Sequence, residues 1–433
     1  MQAVASALTS AGHDVLWLTS ADNEARVLAT GSRFLPTTAV ALVDAPLIRG
    51  RRTGLLDADS HSRGLEGRLL AQVADYRAAL AGFDADVLVV DVLPHGARAL
   101  HDLGEVPVWA TLGVIPMYAS SPGWSAPFAT SGASPPTTWA GRLWNLLRHW
   151  FRRWVVLPWT ARRVINRQRS VLGLPGLSYG ESLERFTYSR FLHIQASSPT
   201  LEFGAEGGLR DVEKTVYVGP LAAPSREPAD PFADCWDLFS KPGTRVVGVT
   251  QGTLAMDPTS LIIPTIRALA PDPRNLLLVV SPYVDEIRAK LGRIGGKDKE
   301  EEEGGSGDDP PNVIYLRWVP YQELLPVLDL LVTNGGYGSI TQALGWGVPL
   351  LCAGQTEDKK DTAARVAWAG AGVDLGTDNP GVEVVREAAE GILGDEGYRR
   401  RAKGLGEELL RMGGGERACR ALEELVAEHG RGK

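Results

Sequence analysis

Three stretches of this 433-residue sequence pair glycine with groups that can hold a phosphate or a sugar, and each closes an apolar run. Thr250-Gln251-Gly252-Thr253 follows the run 246–250; its bare amides and hydroxyls suit an anion and equally suit a tight strand-to-helix turn. Thr333-Asn334-Gly335-Gly336-Tyr337-Gly338-Ser339 opens a helix, and its glycines let an anion approach the backbone. Residues 354–361, reading GQTEDKKD, gather carboxylates, an amide and ammonium groups. That set hydrogen-bonds sugar hydroxyls, and it is also what a solvated loop carries. Trp318 ends a further apolar run, with a flat face suited to a ligand or to a core.

Such loops work together only if strands deliver them to one edge, and in an open parallel sheet ligands gather at the carboxyl ends of strands. The second half alternates in that way, with apolar runs at 246–250, 276–280, 313–316, 330–332 and 350–352 and helical patterns at 260–269 and after Gly338. The first half reads alike: a helix over 3–11 ended by Gly12, a strand at 15–19, a helix over 65–81, a strand at 86–90, a helix over 96–103 and a strand at 106–111. The expected fold is α/β, two Rossmann-like domains with parallel sheets. Residues 1–219 form the first, and 220–242, with five prolines, the linker. Residues 243–382 form the second, and 383–433 form terminal helices that pack back toward the first. A parallel sheet ordinarily begins with a strand, so the helix-first opening predicts that the first strand and its loop are missing here. Residues 297–311 read KDKEEEEGGSGDDPP, a solvated low-complexity loop.

Composition narrows the function. Hydrophobic residues are 44% and charged residues 22%, as in globular chains. A net charge of -7 argues against a nucleic-acid protein. Cys235, Cys352 and Cys419 are too scattered for a disulfide framework or a metal cluster, so a reducing, cytoplasmic setting is expected. No apolar run approaches the roughly 20 residues of a membrane span, and no signal-peptide pattern opens the chain. Residues 106–180 contain no Asp or Glu and eight arginines, together with Trp124, Trp139, Trp144, Trp150, Trp154 and Trp159. On a helix, Trp139, Leu143, Leu146, Leu147, Trp150 and Trp154 share one face opposite Arg148 and Arg152. That face is expected to pack on a core. The alternatives are that it lines a lipophilic acceptor pocket, or that 139–169 makes peripheral contact with an anionic membrane surface.

From residue 246 to 377 the order and spacing resemble the donor-binding half of the family 1 UDP-sugar glycosyltransferases. The pieces in register are Trp318-Val319-Pro320, Leu325-Pro326, Asp329, Thr333-Asn334-Gly335-Gly336, Ser339, Ala343-Leu344, Gly347-Val348-Pro349, Asp358 and Ala364-Arg365-Val366. Weaker similarity covers Ala11-Gly12-His13-Asp14-Val15, residues 86–91 and Tyr217-Val218-Gly219-Pro220. The resemblance implies two facing domains of the GT-B type and an inverting transfer without metal or other cofactor. The sugar would pass from a nucleotide-sugar donor to a lipophilic hydroxyl acceptor such as a sterol or polyketide. It further implies that Trp318 stacks on uracil and the Val319 backbone bonds its edge. Gly252, Thr253, Asn334, Gly335, Gly336, Gly338 and Ser339 would hold the diphosphate, Gln342 the ribose, and Asp358 with Lys359 the donor sugar. By the same resemblance the acceptor region includes Trp124, Trp139 and Trp150.

Four positions depart from the family pattern: Asn334 stands where His is frequent, Gly338 for Asn, Gln342 for Glu and Lys359 for Gln. Asn and Gln keep hydrogen-bonding capacity, whereas Lys offers donors only and leaves the donor sugar open. The family deprotonates its acceptor with a His oriented by an Asp. Asp91 matches the Asp, and the His falls in the loop expected to precede Met1. His95 is the remaining candidate base, and His13 reads as structural. The alternatives are an active enzyme whose sequence is incomplete and a nucleotide-sugar-binding or auxiliary protein without the usual catalysis. A nucleotide-sugar epimerase of similar architecture ranks below both, since no carboxylate bases are evident.

Overall fold

The computed structural model describes residues 1–52, 65–91, 93–119, 127–204, 209, 211–222, 239, 242–252, 257–295 and 310–429. Thr253, Trp124, most of the proline-rich linker and nearly all of the acidic insertion lie outside them.

The C-terminal half is built on one six-stranded parallel sheet. Its strands lie apart in sequence, so they are numbered from the chain start: β1 Leu16–Thr19, β2 Arg33–Pro36, β3 Leu88–Val90, β4 Trp109–Gly113, β5 Leu192–Gln195, β6 Lys214–Tyr217, β7 Arg245–Thr250, β8 Asn275–Val280, β9 Val313–Leu316, β10 Leu330–Thr333, β11 Leu350–Cys352 and β12 Gly372–Asp374. The C-terminal order is β12-β11-β10-β7-β8-β9, so direction of travel reverses between β7 and β10, which pair from Leu330 with Val247 to Thr333 with Thr250. Crossover connections leave a crevice at such a reversal, at the carboxyl ends of the two central strands. β7 and β10 are apolar along their whole inner lengths because helices cover both faces of the sheet. One face packs Leu278, Leu331, Ile340, Leu344, Val366 and Leu405. The other packs Val247, Val279, Ile266, Leu330, Val385 and Ala389.

The N-terminal half divides its strands. β3-β4-β5-β6 form one parallel sheet, and β1 with β2 form a separate parallel pair. The core over the four-stranded sheet contains Val90, Val108, Leu112, Leu192 and Ile194 together with Ala418, Leu422 and Leu425. The last three lie on the helix Gly414–His429, so the chain's final helix completes the core of the first half. The preceding terminal helices stay with the second half: Val385 and Ala389 of Val382–Gly394, and Ala402, Leu405 and Leu409 of Glu396–Arg411, lie in its two cores. Gly413, with φ +83°, makes the break that redirects the chain. His13 fits this joint: its ring nitrogen lies 2.9 Å from Glu423 on that last helix.

The halves are joined by a buried polar chain. The Thr111 hydroxyl contacts His193 Nδ1 at 2.9 Å, His193 Nε2 contacts Gln195 Oε1 at 2.8 Å, and Gln195 Nε2 donates to the Tyr337 hydroxyl at 2.6 Å. Tyr337 donates in turn to Glu202 at 2.5 Å, and Arg365 Nε donates to the second Glu202 oxygen at 2.8 Å. Nearby, both oxygens of Asp361 accept backbone amides of the first half, from Thr130 and Gly132, each at 2.7 Å.

Candidate active site

The three sequence-predicted loops of the second half converge at the reversal point. Thr250-Gln251-Gly252 leaves β7, Thr333-Asn334-Gly335 leaves β10, and they are tied directly, since the Gly252 amide donates to Asn334 Oδ1 at 3.1 Å. Asn334 is 4% exposed, and its Nδ2 is a buried donor with no partner among the described residues. A buried amide nitrogen left unbonded costs free energy, and an anion seated beside it supplies the missing acceptor. Gly335 holds φ +87°, which a residue with a Cβ rarely adopts. A Cβ on Gly354, after β11, would lie 2.1 Å from the Asn334 carbonyl oxygen. Glycine is therefore required there for the β10 and β11 loops to pack together.

The helix Tyr337–Gly345 starts beside this loop, with Gly336 as its N-cap and no side-chain cap. Of its first-turn amides, that of Ser339 donates to the Gly336 carbonyl at 3.0 Å, whereas those of Tyr337 and Gly338 have no such acceptor among the described residues and stand with the positive dipole end at the crevice. Ser339 lies in that first turn and accepts from the Tyr321 hydroxyl at 3.1 Å, while Tyr321 also reaches Thr250 Oγ1 at 3.4 Å. Tyr321 thus braces β7 against the helix, a role the sequence reading did not assign. Its spacing three residues beyond Trp318 was the available signal. Gln342, one turn on, bonds the Gly338 carbonyl at 3.0 Å through Nε2, which leaves its carbonyl oxygen as an acceptor.

Trp318 follows β9 and is 75% exposed, while Val319 beside it is buried. Adjacent residues thus do different work, Val319 anchoring the turn in the core and Trp318 presenting a flat apolar surface to solvent. Asp358 precedes the helix Lys359–Trp368, and burial raises its pKa. Lys359 does not stand as a free sugar-reading cation. It is 4% exposed, and its Nζ donates to Glu357 at 2.6 Å and to the Thr356 hydroxyl at 3.1 Å. Its stem runs under Gly335 and Gly354. Lys359 therefore supports the two loops from beneath, with its charge met by Glu357.

In the first half, Asp91 lies just past β3 and is exposed. His95, the remaining candidate base, is poorly suited to that role. It is 4% exposed with its ring tilted against Phe186 at 4.6 Å, and burial, helped by Arg98 and Arg169, pushes its pKa down to about 3. Neither access nor basicity suits it to take an acceptor's proton. Trp139 and Trp150 are 72% and 57% exposed on the outward side of the helix Trp139–Phe151, so the expected packing of that face on a core does not occur.

Comparison with known proteins agrees with this architecture. The sequence profile described as "Erythromycin biosynthesis protein CIII-like, C-terminal domain" matches residues 298–425. The chain is 31% identical over 439 residues to 4'-demethylrebeccamycin synthase of Lentzea aerocolonigenes, covering 98% of this chain and 96% of the relative. It is 28% identical over 438 residues to UDP-glucosyltransferase A1 of Starmerella bombicola, covering 97% and 87%. Among solved structures, spinosyn rhamnosyltransferase SpnG complexed with thymidine diphosphate superposes with a TM-score of 0.64 at 21% identity, covering 98% of this chain and 95% of that one. The fold is thus that of the two-domain GT-B glycosyltransferases. The chain belongs to family 1 of these enzymes and is a glycosyltransferase.

Proposed function

We propose that the protein moves a sugar from a UDP-sugar to a hydroxyl of a lipophilic small molecule, with inversion and without a metal ion. The observation that carries this reading is the buried Nδ2 of Asn334, without a partner among the described residues, at the sheet's reversal point and beside a helix N-terminus with no side-chain cap. A diphosphate placed there accepts from Asn334 and from the first amides of the helix Tyr337–Gly345. Its growing negative charge as the sugar departs is met by fixed dipoles that need no reorganisation. Trp318 stacks on the base, Gln342 accepts from the ribose, and Asp358 accepts from sugar hydroxyls. UDP, rather than another nucleotide, is favoured by the named activity of the Starmerella relative, and a lipophilic acceptor by the rebeccamycin-related name of the Lentzea one.

A second reading, nucleotide-sugar binding without turnover, is favoured by the burial and low basicity of His95. Calorimetric titration with UDP and UDP-glucose, followed by donor-hydrolysis and transfer assays on the same sample, separates the two. Turnover supports the transferase reading, binding alone supports the second, and absence of binding by folded protein removes both.

A further inference from the structure

The helix Trp139–Phe151, continued through Arg152–Val156 and Leu157–Trp159, is turned inside out relative to an ordinary surface helix. At about 100° per residue, Trp139, Trp144, Leu147, Trp150, Phe151 and Trp154 lie on one half of its circumference. Asn145, Arg148, His149 and Arg152 lie on the other. The polar half meets the protein. His149 is buried with its ring 5.7 Å from Phe128, and the guanidinium groups of Arg148 and Arg152 sit 4.6 and 5.2 Å from the same ring. The apolar half faces out, with Trp139 72%, Trp144 64% and Trp150 57% exposed. A contiguous apolar surface of this kind marks a place that something covers.

From these observations we propose that residues 139–159 seat the protein on an anionic phospholipid bilayer, with the helix lying in the plane of the headgroups. Charge selects the partner. Residues 106–180 carry eight arginines and no acidic residue, although the whole chain carries -7; Arg148 and Arg152 of these turn onto Phe128 and Arg167 and Arg169 pair with Glu66 and Asp102, while Arg142 and Arg163 are exposed cations. Arg142 lies on this helix and Arg163 four residues past Trp159 on the next one, and tryptophan with nearby arginine suits the boundary between acyl chains and anionic headgroups. A second copy of the chain is a poorer occupant, because pairing two such faces brings two acid-free arginine segments together. A small molecule is also poorer, since the outward helix is a surface on the order of 30 Å long by its residue count. The contact is peripheral, as no helix among the described residues is long and apolar enough to cross a membrane. The inference does not depend on the donor-site reading.

Cosedimentation of the full chain with phosphatidylcholine vesicles, with and without phosphatidylglycerol, tests it, alongside tryptophan emission and light scattering. The expected result is binding at least about tenfold stronger to the anionic vesicles, lost in high salt, with a blue shift of emission. Trp144→Glu with Leu147→Glu should lower that binding about tenfold while leaving the circular dichroism spectrum and melting midpoint unchanged. Should that pair disturb folding, Arg142→Gln with Arg163→Gln, both at exposed sites, should lower it about fivefold. Equal binding to neutral vesicles, or no binding to either, overturns the proposal. So does a dimer that the Trp144 and Leu147 changes dissociate without any vesicle binding.

Discussion

The two halves of the molecule use the same parts and arrive at different arrangements. The second half keeps six strands in one sheet with a single reversal point, and its loops are knit by short bonds such as Gly252 to Asn334 and Tyr321 to Ser339. The first half splits its strands between two sheets and borrows Ala418, Leu422 and Leu425 from the chain's far end to close its core. Histidines divide just as sharply. Six of the seven precede residue 200 and the last, His429, sits on the helix that serves the first half, so 243–382 contains none. One continuous sheet with knit loops in the second half, and divided, histidine-bearing packing in the first, are what the comparison teaches.

The largest effect is expected at the seam between the halves. Arg365→Met leaves Glu202 buried with its counter-charge removed, and loss of one partner of such a pair costs about 3–5 kcal/mol. Urea unfolding should show it, with Glu202→Gln added to Arg365→Met recovering part of the loss. Acid should next distinguish the halves. Burial holds His193 down at about 4 and His95 at about 3, against an ordinary 6.5. The native state therefore refuses protons that the unfolded state accepts. This stability is complete above pH 6.5 and is lost as the pH falls toward those values, roughly 2 kcal/mol for each histidine by pH 5. Hydrogen exchange at pH 7 and 5, corrected for intrinsic rates, should show protection falling in β3 to β6 before β7 to β12; uniform loss would erase the contrast. Within the second half, Asn334→Ala should weaken UDP binding by calorimetry at least about tenfold, since it removes the orphan donor and the partner of the Gly252 amide. Trp318→Ala should cost about fivefold in the same titration, and Trp318→Phe less, if stacking is its role.

The second half was largely legible in the sequence because its punctuation is local: an apolar run, then glycine and a hydroxyl or amide, then a helix. Strands β7 to β11 and the loops after β7 and β10 fall where that pattern puts them. β2, β5 and β6 did not declare themselves. Lys214-Thr215-Val216-Tyr217 is too short and polar to read as a strand, and becomes one only by pairing with β5, from Leu192 with Lys214 to Gln195 with Tyr217. Nor did sequence disclose the polar seam. Tyr337 meets Glu202 from 135 residues away and Arg365 meets it from 163, and no local pattern reports such distances. Lys359 was assigned to the sugar by register, yet Glu357 two residues earlier takes its charge. For the helix Trp139–Phe151, periodicity found the apolar face correctly but could not tell that the opposite, polar face would be the one to pack.

Tyr337 has a place in two structures at once. Its backbone opens the helix whose first amides face the proposed diphosphate seat, and its hydroxyl lies between Gln195 and Glu202 of the other half. A change in the angle between the halves must either carry this residue along or strand a buried carboxylate. Were a ligand at the proposed seat to move the start of this helix, the contacts of Tyr337 with Gln195 and Glu202 would move with it, and by reciprocity the fit of the halves would bias that ligand's affinity by the same amount.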